Sequence, residues 1–351
     1  MRRSAAASSF VIVALVLATG CAASTTAESP DDEGAGQPAP APVGSTAQPI
    51  TNGSLASVFL QQRTVAIDTP IAGTTGFRGC TGVIIGRRTV LTAAHCGIKA
   101  GVTGVRFYNG SVTPSGPPIT FPGFVGVGVS QATVRSGVVV DFVTPESSDL
   151  HDSNGNFADF VVVTLAAPIP STSREADLAL GYAGEDVGAT EVGRGRHDGL
   201  ANGTAQLRSA PNSFYSSSTN SGFFYMNDNR TDKGDSGGPV FSSNKVHGVL
   251  SGADWIPFGW RDSYTSTAWH LQFILDAMSY VGTSFKLPNT VLGGGTIMST
   301  FFASSARMCE YACDHDSACH GFTSFSGSLC ILRSALSNDT VASPGAVSGI
   351  R

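Results

Sequence analysis

The stretch "NRTDKGDSGGPVF", Asn229 to Phe241, governs how the rest of the chain is read. Gly234, Asp235, Ser236, Gly237 and Gly238 form one tight run, followed by the apolar pair Val240 and Phe241. A serine hydroxyl is a poor nucleophile at its own pKa. It needs an imidazole to take its proton, a carboxylate to hold that imidazole, and backbone N–H groups to meet the oxyanion that forms. Glycines around Ser236 suit the last requirement, because they let backbone amides face a ligand with no Cβ in the way. A glycine-rich turn with a serine is common, so its partners have to be sought elsewhere in the chain.

"LTAAHC", Leu91 to Cys96, follows a strand-like run and sets His95 beside Cys96, with Cys80 upstream across "TGVIIGRRTV". Between that histidine and Ser236 lies "ADFVVVTLAAPI", with Asp159 before an apolar run and Pro168 after it. Asp141 and Asp152 are rival carboxylates, but neither precedes such a strand. In this order, "TAAHC", "ADFVVV" and "GDSGGP" resemble the trypsin-like (chymotrypsin-fold) serine protease family. The resemblance implies an all-β fold of two six-stranded antiparallel β-barrels with a C-terminal helix. It implies His95 as general base, Asp159 as the carboxylate that orients it, and Ser236 as nucleophile. The N–H groups of Gly234 and Ser236 would form the oxyanion hole, and Cys80 would be bridged to Cys96. The implied activity is hydrolysis of peptide bonds in a protein or peptide substrate through an acyl-enzyme, with no cofactor. The alternative is a homologue that no longer cleaves and serves as a surface protein- or carbohydrate-binding protein.

Many members of this family are made as zymogens whose new N-terminal amine pairs with the Asp before the nucleophile. "PITNGS" resembles that start, with Ile50 as the amine and Asp235 as its partner, although Pro49 is a poor residue for common processing proteases to cut after. Ile50 otherwise begins the first strand with no cleavage. The specificity pocket departs from the family pattern. Asp232 stands where trypsins have a stapling Cys, and Arg230 stands six residues before Ser236, where they carry the acid that selects Lys and Arg. "VLSGAD" resembles the substrate-binding wall, giving Ser251, Gly252 and Ala253. Asp262, two residues before Tyr264, stands where a Gly normally lines the pocket. Asp262 could receive a basic side chain or pair with Arg230 and plug the pocket; an unpaired Arg230 would attract an acidic side chain. The bland alternative makes both surface loop charges.

Away from these motifs, "SVFLQQRTVAI", "TGVIIGRRTVLTAA", "GVRFY", "GVVVDFV", "FVVVTLAA", "PVFSS" and "KVHGVLSG" read as strands between Gly- and Asn-rich loops. "TAWHLQFILDAMSYVG" has apolar residues at helical spacing, and "TSFKLPNTVLGGGT" reads as a linker. The protease-like region is placed at 50–286 and a second module at 290–351. That module holds Cys309, Cys313, Cys319 and Cys330, so it reads as disulfide-stapled. Cys309 and Cys313 lie four apart, on one helix face. The pattern resembles the PAN/apple domain, a small α+β module that binds proteins or carbohydrates. That resemblance implies the pairs Cys309–Cys330 and Cys313–Cys319. His315 and His320 are interleaved with these cysteines, but an exported chain with paired cysteines favours disulfides over a metal, and no metal site is expected.

Export is read from the N-terminus. Arg2 and Arg3 precede the apolar stretch Phe10 to Leu17, which is too short to span a membrane. "LATGCAAS" then resembles the bacterial lipoprotein box, with Ala18 where the commonest box has Leu. This places a signal peptide at 1–20 and a lipid anchor to the cell envelope at Cys21; an ordinary secretory signal is the alternative. The chain has seven cysteines, so a lipidated Cys21 leaves six to pair. Residues 21–49, rich in Ala, Pro, Ser, Thr and acids, read as a flexible tether or pro-segment. With 13% charged residues and a net charge of -5, the chain lacks the basic character of a nucleic-acid binder.

Overall fold

The computed structural model describes residues 50, 53–72, 77–108, 110–114, 139–148, 150–195, 206–217, 222–257, 259–325, 328–336 and 340–351. The expected signal peptide, the expected lipidation site at Cys21 and the expected tether lie outside the described residues. Among the described residues no helix is long and apolar enough to cross a membrane.

The chain starts with β1 (Ser54–Leu55) and a single helical turn, α1 (Val58–Gln61). The pattern had "SVFLQQ" as strand. A short apolar run fits either state, and packing arbitrates: Leu60 is buried and Phe59 stands edge-on to Phe241, with ring centroids 5.9 Å apart. Next come β2 (Thr64–Pro70), β3 (Phe77–Gly86), β4 (Thr89–Thr92), β5 (Gly104–Phe107), β6 (Val139–Val143), the small hairpin β7 (Glu146–Ser148) and β8 (His151–Asp152), and β9 (Val161–Leu165). The first sheet has the order β5-β2-β3-β4-β9-β6, all antiparallel. Its inner residues, among them Val65, Ile67, Ile84, Val90 and Val163, form one cluster. Each such fully buried side chain contributes about 1.5–3 kcal/mol.

The second sheet follows from β10 (Asp177–Leu178), β11 (Gly188–Gly193), β12 (Arg208–Ser217), β13 (Phe223–Met226), β14 (Pro239–Ser242), β15 (Lys245–Ile256) and β16 (Gly259–Ser266). Its order is β12-β11-β14-β15-β16-β13, and β13 pairs back to β12, which closes a six-stranded barrel. β1 and β10 are added to it at β12 and β15. Pairing thus closes one barrel among the described residues, where the resemblance implied two; no pairing closes the first sheet.

Past the barrel, α2 (Leu271–Ala277) is shorter than its apolar periodicity predicts. Leu271, Ile274 and Leu275 are buried, and Ser279 takes a left-handed φ of 51° just beyond the end. The expected linker is a strand instead, β17 (Phe285–Leu292). It forms the edge of a five-stranded sheet with β18 (Ile297–Phe301), β19 (Gly321–Phe325), β20 (Leu329–Arg333) and β21 (Thr340–Ile350), in the order β17-β21-β19-β20-β18. Pro288 is tolerated there because an edge strand has a free side for a residue without N–H. The helix α3 (Ala306–Asp314) packs on this sheet, capped by Ser305 Oγ, which accepts from Met308 N. Cys309 is bonded to Cys330 and Cys313 to Cys319.

This C-terminal module is packed directly onto the barrel. Met308, Tyr311 and Ala312 share one cluster with Leu178, Val246 and Leu275. The buried Leu178 N–H donates to the Tyr311 hydroxyl oxygen at 2.8 Å, and Arg307 pairs with Asp276 on α2. Tyr311→Phe should leave the Leu178 N–H unpaired and lower stability by about 1–3 kcal/mol in denaturant unfolding. An unchanged midpoint would show that this bond does not hold the module to the barrel.

Candidate active site

The Ser236 turn is gripped from both sheets. Thr81 N–H, on β3, donates to Ser236 O at 2.8 Å, and Thr81 Oγ1 donates to Gly234 O at 3.0 Å. From the barrel, Leu250 O accepts Gly237 N–H at 2.8 Å and Leu250 N–H donates to Gly238 O at 2.9 Å. Gly237 has φ 76°, and a Cβ there would stand 2.0 Å from Thr92 Oγ1 and 2.4 Å from Thr81 O, so only glycine fits. Among the described residues, the N–H groups of Gly234 and Ser236 donate to no protein acceptor. Two backbone donors are therefore unspent beside the hydroxyl, which itself makes no hydrogen bond to His95 in this structure.

His95 sits in a tight 3-10 turn, Ala94–Cys96, directly after β4. The Cys80–Cys96 disulfide ties this turn to β3, and Cys96 Sγ lies 3.9 Å from Ser236 O. Gly97 turns the chain away with φ 68°, and Arg78 Nη1 donates to His95 O at 2.7 Å. His95 Nδ1 is 2.7 Å from Asp159 Oδ2, and His95 N–H donates to Asp159 Oδ1 at 3.0 Å. A carboxylate only accepts, so Nδ1 carries the proton and Nε2 of the neutral ring keeps its lone pair. Ser251 Oγ donates a further bond to Asp159 Oδ2 at 2.5 Å. Burial pushes the fully enclosed Asp159 carboxyl up, but the bonds from His95 and Ser251 outweigh it and hold it below the usual range. The rival carboxylates are spent locally: Asp152 accepts from Asn154 and Asn156, and Asp141 from Phe142 N–H.

Ile50 and Asp235 also meet. Ile50 N–H donates to Asp235 Oδ2 at 3.3 Å, with Asp232 N–H on the same oxygen at 2.9 Å and Gly195 N–H on Oδ1 at 2.6 Å. The donor is a chain amide rather than a free amine. Burial without a contacting cation pushes the Asp235 carboxyl up to about 7. Ile50, fully buried, holds a left-handed φ of 45°, a costly conformation for a β-branched residue.

The pocket residues take a different arrangement from any weighed in the sequence. Asp262 is fully buried, but its oxygens are occupied by Arg230 N–H at 2.6 Å, Thr231 N–H at 3.2 Å and Thr231 Oγ1 at 2.5 Å. It forms no ion pair with the Arg230 guanidinium, which turns to Asp228 at 2.7 Å. Asp262 is therefore not a surface charge, and Arg230 is not unpaired. Ala253 pairs with Asp262 and Gly252 with Ser263 in the barrel, whereas Ser251 serves Asp159. Glu191, on β11, is a pocket residue that the sequence does not mark: its carboxyl is fully buried and paired with that of Asp262. A lone Glu in "GATEVG" looks like the exposed face of a strand, and no local signal reveals its partner. Among the described residues no cluster of metal-ligating side chains occurs, and His315 stacks on Tyr311.

Three solved structures are similar to part of this chain. A scabies mite inactivated protease paralogue aligns over 65% of this chain and 98% of its own, at 18% identity and a TM-score of 0.50. Mouse neuropsin, a serine protease expressed in the limbic system of the brain, covers 65% of this chain and 100% of its own at 19% identity and a TM-score of 0.48. Human heparin binding protein covers 66% and 98% at 18% identity and a TM-score of 0.48. At 18% identity and a TM-score of 0.50, the likeness to the mite paralogue bears on the fold alone. No curated protein sequence matches. The family model for Trypsin matches residues 61–257, more than half of the 351 and a span that contains His95, Asp159 and Ser236. By that match and by its closed β-barrel, this chain belongs to the trypsin family.

Proposed function

We propose that the protein is an exported serine endopeptidase. The observation that carries this is the His95 ring, whose Nδ1 is held by Asp159 and whose Nε2 is left without a protein partner among the described residues, on the turn that packs against Ser236. Ser236 Oγ attacks the carbonyl carbon while His95 Nε2 takes its proton. Asp159 keeps the ring in that tautomer and stabilises the imidazolium. The unspent N–H groups of Gly234 and Ser236 meet the oxyanion. His95 then protonates the leaving amine, and water hydrolyses the acyl-enzyme. The C-terminal module is a PAN/apple-like binding domain for protein or carbohydrate, and Cys21 carries the lipid that holds the enzyme at the cell envelope.

The second reading, a non-cleaving surface binder, is favoured by one observation only: the Ser236 hydroxyl is not bonded to His95. Labelling with a fluorophosphonate probe separates the two. The expected result is modification of Ser236, with Ser236→Ala and His95→Ala each lowering kcat by about 10⁶-fold and Asp159→Asn by about 10⁴-fold. An unlabelled native protein would leave the binding reading.

Substrate choice follows from the committed oxygens of Asp262. Asp262 is not left free to receive Lys or Arg, and the Arg230 guanidinium meets an exposed acid, Asp228, that a substrate carboxylate can displace. A positional peptide library should show no preference for Lys or Arg before the scissile bond. Asp228→Ala should raise the preference for Asp and Glu there by about tenfold; a preference for basic residues would sink this assignment.

Ile50 and Asp235 form the activation pair. In the uncut chain Asp235 binds its proton more tightly than an unfolded carboxyl, whose pKa is about 3.9. Its contribution is thus fully present below about pH 4 and is lost as pH rises through about 7, by at most about 4 kcal/mol. Cleavage before Ile50 would supply an ammonium and reverse that trend. Denaturant unfolding of the uncut chain should therefore lose stability across this window more steeply than Asp235→Asn does. Parallel pH dependences would remove Asp235 as the titrating group.

A further inference from the structure

The buried acid pair beneath the nucleophile loop has a role of its own. Glu191 and Asp262 come from different strands and both are fully buried. Glu191 Oε1 accepts from the hydroxyl of Tyr264, two residues beyond Asp262 on β16, and Asn212 Nδ2 donates both to Glu191 Oε2 and to Asp228 O, on the chain leading to Arg230, so the two carboxyls meet as a hydrogen-bonded pair. Two carboxyl groups can share a hydrogen bond only if one of them carries a proton. The donors around them say which. Asp262 accepts three, from Arg230 N–H, Thr231 N–H and Thr231 Oγ1. Glu191 accepts two, from Asn212 Nδ2 at 2.9 Å and the Tyr264 hydroxyl at 3.2 Å. Asp262 is therefore the ionised member and Glu191 the acid that donates to it.

We propose that Glu191 is a positioning residue for the specificity pocket: its proton, shared with Asp262, lets an anion sit beneath Arg230 and Thr231 and fix their backbone. The clamp rests on the endopeptidase reading for its kinetic meaning, but its geometry is independent of it. It fixes one end of the run that leads to Ser236. The other end is fixed by Asp235, which accepts Asp232 N–H. The segment between, Arg230 to Asp235, is thus held by two carboxyls, and neither contacts a cation among the described residues.

Burial, and the charge of Asp262 beside it, push the Glu191 carboxyl well above the usual carboxylate range. Burial also pushes Asp262 up, against the bonds from Thr231 and Arg230. The other groups facing the pair are few. Asn212 on β12 is neutral, and the buried Tyr264 on β16 is itself held well above its usual value by burial and by Glu191. The nucleophile loop brings Asp235 and Arg230, the latter engaged with Asp228. Loss of the shared proton at high pH would leave two anions side by side, so the clamp opens with rising pH.

The test is cleavage kinetics from about pH 6 to about pH 10, with hydrogen exchange at the Arg230 and Thr231 amides in a Ser236→Ala background. For the native protein, KM should rise about tenfold or more at the alkaline end while kcat changes less. Glu191→Ala should raise KM at every pH. Glu191→Gln, whose amide still donates to Asp262 but cannot ionise, should rescue KM and remove the alkaline rise. Should that variant fold poorly, Asp262→Asn, which accepts a donor and cannot ionise either, is expected to remove the rise as well. An alkaline rise that survives in either variant, or a native KM flat with pH, overturns the clamp. The exchange measurement separates the two claims. Amides that lose protection at high pH in the Glu191 protein but not in Glu191→Gln uphold the clamp even if nothing is cleaved, in which case the endopeptidase reading fails. Cleavage with equal protection in both proteins upholds the endopeptidase and overturns the clamp.

Discussion

The structure depends on how the Ser236 turn is shared between two sheets. Thr81 N–H from the first sheet takes Ser236 O, and Leu250 from the barrel exchanges two bonds with Gly237 and Gly238. Neither sheet alone could hold that turn. His95 and Asp159 come from the first sheet and the chain leading into it, whereas Ser236, Ser251 and Asp262 come from the barrel and the loop before it. His95, Asp159 and Ser236 come together only because one short turn is bonded on both sides. This also explains the two glycines after the serine. With Thr92, Thr81 and Val192 pressed against them, a Cβ at either Gly237 or Gly238 would collide with backbone or with a bonded hydroxyl.

Carboxylates do the positioning around that turn. Asp159 holds the imidazole, Asp235 gathers Ile50, Asp232 and Gly195, and Asp262 gathers Arg230 and Thr231. All three are fully buried, and each is satisfied mainly by N–H and O–H donors. A buried carboxylate held this way keeps its geometry but depends on pH. A second pattern holds deeper in the fold, where Asp68 bonds both Arg106 at 2.6 Å and Arg194 at 2.7 Å. There the guanidinium ions outweigh burial and hold Asp68 below the usual range. Arg194 precedes Gly195, whose N–H donates to Asp235, so it links the first sheet to the chain beside Asp235.

The C-terminal module belongs to the same body as the barrel: the described residues from Ile50 to Arg351 fall in one compact unit. β17 shows why the sequence pointed elsewhere. "TSFKLPNTVLGGGT" carries Pro, Asn and three consecutive Gly, the usual marks of a connecting segment. Its strand forms because β21 offers an edge from Ile350 back to Thr340, a partner near the far end of the chain. Local composition carries no information about such a partner. The same holds for "SVFLQQ", where Phe241 decides a helical turn that the apolar run leaves open.

By itself the sequence determined the family, the order of His95, Asp159 and Ser236 and the strand-rich character of the chain. Each of those rests on local chemistry, because a motif such as "TAAHC" or "GDSGGP" is set by what its own few atoms must do. Only the tertiary structure decided that Asp262 is spent on the backbone of Arg230 and Thr231, that Arg230 turns to Asp228, and that Glu191 is buried with Asn212 and Tyr264 bonded to it. Those outcomes depend on hydrogen bonds between strands far apart in sequence. A buried carboxyl is defined by the donors that fold around it, and the letters Glu and Asp alone do not specify them.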